Sequence, residues 1–543
     1  MGKPKSRPQL SLMAGRQYDD WGGLPANHWS YRFHEHVFCE LDDGEFADLY
    51  EDGGRQPVSP RLLVCITILQ YIHRVSDREA VERCIDSRSW RIALGIEPGY
   101  EGFHHTVLCY FRKRLLAHGE ERRVFDVVLD RVRALGLLKG HTKVRVDATK
   151  LIANVAVLSR GDMIREAIRV VVCSLAKLAP KLRERRPEFA RLYDAYHEEY
   201  WLGGRSDSSD DLRTLARDAQ LALRLCGPYP VSGKATLAQI LAENFTFVGE
   251  EPEPKLPEEL APGHIATPHE PDAEIGKEDD ELWTGDKVHI VETVTEDGPG
   301  YVVDVLVTGP RVPDSNMTPE IVERVAEALP AVDTILDDSG YYSAANSVDA
   351  AGQGIDMISP PRQDTSKSAL PASAFSYDFE RQVARCPEGH ESKSWRVGKR
   401  LRIKFSRPVC RACPRRAECT TSPTEPRMLT LSPHYEQLQK DRARALTPEF
   451  KELYAQRAGI EATISELVHR CGLRRSRYRT KPKRELHALL SVAALNMRRL
   501  LRAPAAENEP NQQAAGVLSR LRRALTRALE GLRMPRSAAW TAT

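Results

Sequence analysis

The sequence predicts an α/β protein built on a mixed sheet, with a helical domain before the sheet and two insertions within it. Three observations predict this class. Short apolar runs at 143–147, 286–294, 301–309, 334–337 and 355–360 read as strands, several of them alternating with polar neighbours. A helical pattern, "TPEIVERVAEAL", lies between the third run and the fourth, which is the layout of a parallel crossover. Charged helical sequence and a group of cysteines interrupt the series rather than extend it. At 543 residues the chain is also too long for one simple core.

Residues 1–140 read as the helical domain. Ser59-Pro60 supplies an N-cap and a proline at the first helical position for the apolar run that ends at Ile72. That run is too short to span a bilayer and reads as a buried helix. Ser76 and Glu79 form a capping-box pattern for a helix over "SDREAVERCIDSRSW", and Gly95 breaks it. In "HHTVLCYFRKRLLAHG", Leu108, Phe111 and Leu115 share a face, with Arg112, Lys113 and Arg114 beside them. "VFDVVLDRVRALGLL" is the last helix before the first strand. Short helices ending in a basic one suit a DNA-binding domain and equally a plain bundle.

The sheet is expected from two pieces, 141–160 and 282–360. Between them, residues 161–281 read as a charged helical insertion followed by "EEPEPKLPEELAPGHIATPHEPDAE", a linker by composition. A turn at Asp297-Gly298-Pro299-Gly300 closes a hairpin between 286–294 and 301–309. Residues 361–446 form the second, Cys-rich insertion. Thr447-Pro448 opens a long helix to about Arg470, stopped by Gly472, and 447–502 carry that helix and a basic segment. Residues 503–543 read as a flexible linker and a basic terminal helix, with Leu518, Leu521, Leu525, Leu529 and Leu532 on one face.

Composition is that of an ordinary globular chain, 41% hydrophobic and 29% charged. The formal net charge of +3 conceals a segregation: 250–281 is acidic, whereas 470–502 and 520–536 are dense in Arg and Lys. Clustered cations on a balanced chain are the footprint of a polyanionic partner, nucleic acid above all. The first residues lack an apolar secretory core, no run reaches membrane length, and the cysteines do not pattern as a disulfide framework. The expectation is a cytoplasmic protein with no membrane partner.

Chemistry is suggested by acids at element ends. In "KVRVDATKLIAN" the strand residues Val144 and Val146 lead to Asp147, and "TILD" leads to Asp337-Asp338. Aspartate is a poor strand residue, and its carboxylate is costly to bury unpaired. Catalytic groups in α/β sheets gather at the carboxyl ends of strands. Two such carboxylates and a third from a packed helix would hold divalent ions about 3.5–4 Å apart for in-line displacement at phosphorus. The structural alternative is that these aspartates start turns or cap helices. The third acid is Glu461, in "YAQRAGIEATISELVHRCGLRRSRYR". Tyr454, Arg457, Glu461 and Val468 follow steps of three, four and seven along one helical face. An internal Arg457–Glu461 pair is the structural alternative there.

Cys386, Cys410, Cys413 and Cys419 are the close group of cysteines, and Cys410-x₂-Cys413 has knuckle spacing. Four thiolates make a closed tetrahedral Zn²⁺ site, with His390 the alternative fourth ligand and reduced, metal-free cysteines the structural alternative. "GLRRSRYRTKPKRE" interleaves basic residues with Tyr478. Its Arg474, Arg475, Arg477 and Arg479 are the expected contacts to a phosphate backbone, with steep salt dependence.

The run "YAQRAGIEATIS…GLRRSRYR" resembles the acidic-helix signature of DDE transposases from bacterial insertion sequences, specifically the four/five superfamily and its subgroup with a Cys-rich insertion. "RVDATKLIAN" resembles the segment around their first catalytic Asp and "LDDSGYYSAAN" the segment around their second. "LWTGDKVHIVET", "ARCPEGH" and "CRACPRRAECT" match in the expected order, and the resemblance covers roughly residues 55 to 502. It implies an RNase H-like core with Asp147, Asp338 and Glu461 as the catalytic, metal-binding triad for two Mg²⁺ or Mn²⁺ ions. Asp338 is preferred to Asp337 because the family's acid stands two before the Gly, here Gly340. It further implies Tyr454 and Arg457 at the DNA, inverted repeats and target DNA as partners, a homodimer on DNA and a nucleoid location. One departure is Val468, where the superfamily often carries Lys; His469 or Arg470 is then the neighbouring cation for DNA. The competing readings are a catalytically inactive DNA-binding derivative of a transposase and an RNase H-like nuclease without strand transfer.

Overall fold

The computed structural model describes residues 24–503 except 26, 98, 156–157, 199–207, 228, 261–262, 279–280, 296–297, 363–369 and 423. The terminal helix expected within 503–543 and the turn residue Asp297 lie outside the described residues. The chain divides into two compact units, one of Met1–Lys139, Leu151–Glu274 and Glu466–Thr543, the other of Gly140–Lys150 and Ile275–Ser465.

In the first unit the helix Pro60–His73 is apolar on nearly all sides and buried along almost its whole length. The Ser59 hydroxyl accepts from Leu62 N–H at 3.3 Å, the cap expected of it. The single helix expected over 76–90 is instead two, Asp77–Asp86 and Arg88–Leu94, because Ser87 between them takes an extended conformation. Gly95, at φ +59°, ends the second. Helices Thr106–Ala117 and Arg123–Ala134 follow, and the last helix among the described residues, Lys481–Arg502, packs against Pro60–His73 and Arg123–Ala134. The charged insertion is helical at Arg160–Leu178, Pro187–Tyr196, Ser209–Cys226 and Lys234–Asn244, around its own apolar core.

The acidic stretch expected to be a linker is folded. Glu251–Pro254 pairs antiparallel with Phe245–Val248, and Ile265 and Glu270 are buried. Glu270 forms a fully buried ion pair with Arg484 and accepts Thr480 N–H at 2.6 Å, while Asp272 accepts Lys481 N–H at 2.5 Å. Two carboxylates thus answer the positive start of the last helix. Local composition cannot register a partner so distant in sequence.

The second unit is built on one mixed sheet. Its strands are β1 (Lys143–Ile152), β2 (Glu274–Glu278), β3 (Glu281–Thr293), β4 (Val302–Thr308), β5 (Thr334–Leu336) and β6 (Asp356–Ile358). The order runs β4-β3-β1-β5-β6, with β2 also on β3. β3 and β4 form the expected hairpin, while β1, β5 and β6 are parallel neighbours. Val294 N–H donates to Lys143 O and Lys150 pairs with Glu281, so β3 runs against β1. The helices Thr318–Ala328 and Ala344–Gly352 make the crossovers, the first burying Ile321, Val322 and Val325 and the second Ala344 and Ala350.

Two expectations change here. β1 does not stop at 147 but runs to Ile152, whose backbone pairs on with Arg474 and Ser476, so Asp147 lies mid-strand. The long helix expected from 448 to about 470 is broken by a 3₁₀ turn, Gln456–Ala458, between Pro448–Ala455 and Gly459–Arg470. The Cys-rich part forms a two-stranded and a three-stranded sheet around Leu370, Phe375, Leu401, Ile403 and Leu429.

Candidate active site

The parallel register of β1 on β5 sets Lys143 beside Thr334, Val144 beside Ile335 and Arg145 beside Leu336. Continued two residues, it brings Asp147 level with Asp338, where β5 has ended and β1 has not. Asp147 Oδ1 accepts the N–H of Ala148 at 2.8 Å, and Asp338 Oδ1 accepts the N–H of Gly340 at 2.7 Å. Gly340 lets the two acids approach: a Cβ there would lie 2.8 Å from Asp338 Oδ1 and 3.1 Å from Asp314 Oδ2, so both carboxylates would have to shift.

One guanidinium joins the two acids. Arg457 Nη2 is 2.9 Å from Asp147 Oδ2 and 3.8 Å from Asp338 Oδ2. Burial pushes the Asp147 carboxyl above its ordinary range; Arg457 and the Ala148 N–H oppose this, and the charges of Asp338 and Glu461 add to it. Negative charge from all three acids therefore converges on one neighbourhood. Glu461 itself is exposed in the first turn of Gly459–Arg470. Tyr454 is half-buried, stacked on Phe450 at 6.0 Å, and its hydroxyl is raised chiefly by burial and also by the charges of Asp338, Asp337 and Asp147.

Among the described residues no three His, Cys, Asp or Glu side chains come close enough to share a metal ion. The donor chemistry still fits: all three acids offer hard carboxylate oxygens, and a cation, that of Arg457, already lies between two of them.

The neighbouring aspartate has the opposite environment. Asp337 is buried, accepts the Ser359 hydroxyl, and is pushed up to about 8 by burial. Just beyond the end of β5 the two acids turn different ways: Asp338 meets Arg457, while Asp337 enters the core.

Sequence reasoning missed what docks the Glu461 helix. Glu292, at the end of β3, is fully buried; its Oε2 takes Arg145 Nε at 2.7 Å and its Oε1 takes the Thr463 hydroxyl at 2.6 Å. Arg145 also donates to Gln456 O at 3.2 Å, inside the 3₁₀ turn. Gly459 lies against the same guanidinium, with no room for a Cβ. An available signal was the acid closing the apolar run "HIVET", with Arg145 two residues before Asp147 on the same strand face. His289 is buried between the Tyr341 and Thr308 hydroxyls at 2.7 and 3.0 Å, and burial lowers it to about 4.

The expected DNA contacts divide. Arg112, named with Lys113 and Arg114 as an expected DNA contact, is buried and lies 2.5 Å from Asp77 in the helical core. Arg477 donates to Val75 O at 3.1 Å and covers Tyr71 at 5.0 Å, and Arg114 covers Tyr50 at 4.8 Å. Arg474 is half-buried, whereas Lys113, Arg470, Arg475 and Arg479 are exposed.

The four cysteines lie in one region. Cys386, Cys410 and Cys419 pack on the same small core, and Cys419 is raised by burial, with Cys410, Cys413 and Cys386 adding to the shift. Cys386 starts a tight turn in which Gly389 N–H donates to its carbonyl at 2.8 Å and its own N–H donates to His390 O at 2.9 Å. His390 is exposed.

No helix among the described residues is long and apolar enough to cross a membrane. No curated protein and no solved structure matches the chain. Residues 23–114 match the family described as transposase domain (DUF772), and residues 385–501 match the family described as transposase DDE domain. The second match contains Glu461 and the four cysteines; neither contains Asp147 or Asp338. Similar to transposases over two separate stretches, the chain has in these matches support for an insertion-sequence DDE transposase.

Proposed function

We propose that this chain is a DNA transposase that cleaves insertion-sequence ends and joins them to target DNA by divalent-metal-dependent chemistry on an RNase H-like core. The strand order β4-β3-β1-β5-β6, with only β3 reversed among the four strands β3, β1, β5 and β6, supports the core assignment. The observation that carries the activity is the level placement of Asp147 and Asp338 around one cation, with the charge of Glu461 felt at Asp147.

Asp147, Asp338 and Glu461 are the residues to hold Mg²⁺ or Mn²⁺, two ions being the expected complement. Such ions, when bound, polarise the phosphodiester and activate the attacking oxygen. At the element end a water attacks phosphorus, the P–O3′ bond breaks and a 3′-OH is left. That hydroxyl attacks a target phosphorus, and the target's own 3′ oxygen leaves. Lys113, Arg470, Arg474, Arg475 and Arg479 neutralise backbone phosphates and make binding salt-dependent. Cys386, Cys410, Cys413 and Cys419 are the thiolates that would hold a structural Zn²⁺ ion, which would organise their insertion and take no part in catalysis. The functional unit is a homodimer on double-stranded DNA.

The test uses a plasmid carrying the inverted repeats that flank the reading frame. Wild-type protein with Mg²⁺ is expected to cut and join, and alanine at Asp147, Asp338 or Glu461 is expected to abolish cutting with end binding kept. Full nicking by Glu461→Ala removes that helix from the site. Cutting with no joined product leaves a nuclease, and binding with no cutting leaves a DNA-binding derivative.

A further inference from the structure

Arg457 lies between two of the proposed metal-binding acids. A single nitrogen, Nη2, serves both carboxylates, at 2.9 Å from Asp147 and 3.8 Å from Asp338. Guanidinium groups grip carboxylates best through two parallel N–H bonds. This one does not: its Nε is buried with no hydrogen-bond partner. The side chain is therefore held in place by charge more than by geometry.

Its backbone, by contrast, is pinned. Arg457 is the middle residue of the 3₁₀ turn Gln456–Ala458, with the Gln456 carbonyl held by Arg145 at 3.2 Å and Gly459 against that same Arg145 guanidinium. A fixed turn with an imperfectly matched side chain is the arrangement of a part whose tip moves while its base stays.

We propose that Arg457 is an internal counter-ion that keeps divalent cations out of the Asp147–Asp338 pair until a phosphodiester draws its guanidinium away. The inference rests on the reading of Asp147 and Asp338 as metal ligands. Two neighbouring carboxylates repel each other and demand a cation between them. Arg457 supplies one in the protein alone, and a divalent ion must compete for the same oxygens. A DNA phosphate offers the guanidinium the bidentate acceptor it lacks. The exchange frees both acids at the moment the bond to be cut arrives, and without DNA the centre stays poor in metal.

The experiment is calorimetric titration of Mn²⁺ alone into full-length, chelator-stripped protein without DNA. Wild type, Arg457→Lys, Arg457→Gln and the double variant Arg457→Gln/Asp147→Asn are compared, with melting curves to establish folding. Arg457→Gln is expected to bind Mn²⁺ at least about tenfold more tightly than wild type, since a unit charge has left the site. Arg457→Lys, which keeps charge and loses the fork, falls between, and the double variant loses the gain. Equal or weaker Mn²⁺ affinity in folded Arg457→Gln overturns the inference; if that variant does not fold, the same comparison with Arg457→Lys decides. Absence of Asp147-dependent Mn²⁺ binding in every form instead overturns the underlying assignment of the metal site.

Discussion

Arg145 and Asp147 stand two residues apart on one face of β1, and each ends in an ion pair, yet the two pairs are built to different standards. Arg145 meets a Glu292 that is 0% exposed, and both oxygens of that carboxylate are used, one by Arg145 and one by Thr463. Asp147 meets an Arg457 that it shares with Asp338; Asp147 is 18% and Asp338 39% exposed. Burying an ion pair costs desolvation that only full hydrogen bonding offsets. The first pair meets that condition and fastens the Glu461 helix. The second leaves oxygen atoms within reach of solvent, as a site for a charged substrate must.

Four measurements would break or sharpen this contrast. The largest effect is expected in the open pair: Asp147→Ala or Asp338→Ala should cut cleavage by at least about a thousandfold, as in other constellations that act as a unit. Asp337→Asn, one residue away, should leave the cleavage rate unchanged, as read on the same plasmid gel. Equal losses at 337 and 338 would erase the division of labour between them. Next, Glu292→Ala should destabilise the fold by about 3–5 kcal/mol in urea unfolding, because Arg145 is left as an uncompensated buried charge. An unchanged midpoint would demote the closed pair to a surface-like contact.

The third concerns His289, whose folded pKa of about 4 lies below the ordinary 6.5. Between these values the unfolded chain binds a proton that the folded chain refuses, so stability is complete above pH 6.5 and is lost as pH falls toward 4. The loss is about 3 kcal/mol, and His289→Gln should flatten that part of the pH–stability curve. Smallest is the effect of Arg475→Ala, which should lower the salt slope of DNA binding by about one without moving the melting temperature. Arg112→Ala should do the reverse, melting earlier with the slope unchanged.

The legibility of these features depends on how far away their causes lie. The helix starts at Ser59 and Ser76 and the hairpin of β3 and β4 rest on neighbours a few residues apart, and sequence pattern found them. Asp147 and Asp338 stood out as acids closing apolar runs. The break at Gln456–Ala458 did not, because it is held by Arg145 from the sheet, and continuous helical spacing runs through it. The burial of Arg112 depends on Asp77, and the folding of the acidic stretch depends on Arg484, both invisible to local composition. Glu292 was overlooked since a charged residue at a strand end usually faces solvent.

The tandem aspartates after β5 carry a consequence for assembly. β5 is only three residues long, so little besides its neighbours fixes which way its last side chains turn. A slip of one residue would carry Ile335 and Leu336 out of step with their partners on β1 and β6 and give up the packing of two buried side chains. The apolar pair that anchors this short strand thereby also decides which aspartate is left facing the guanidinium.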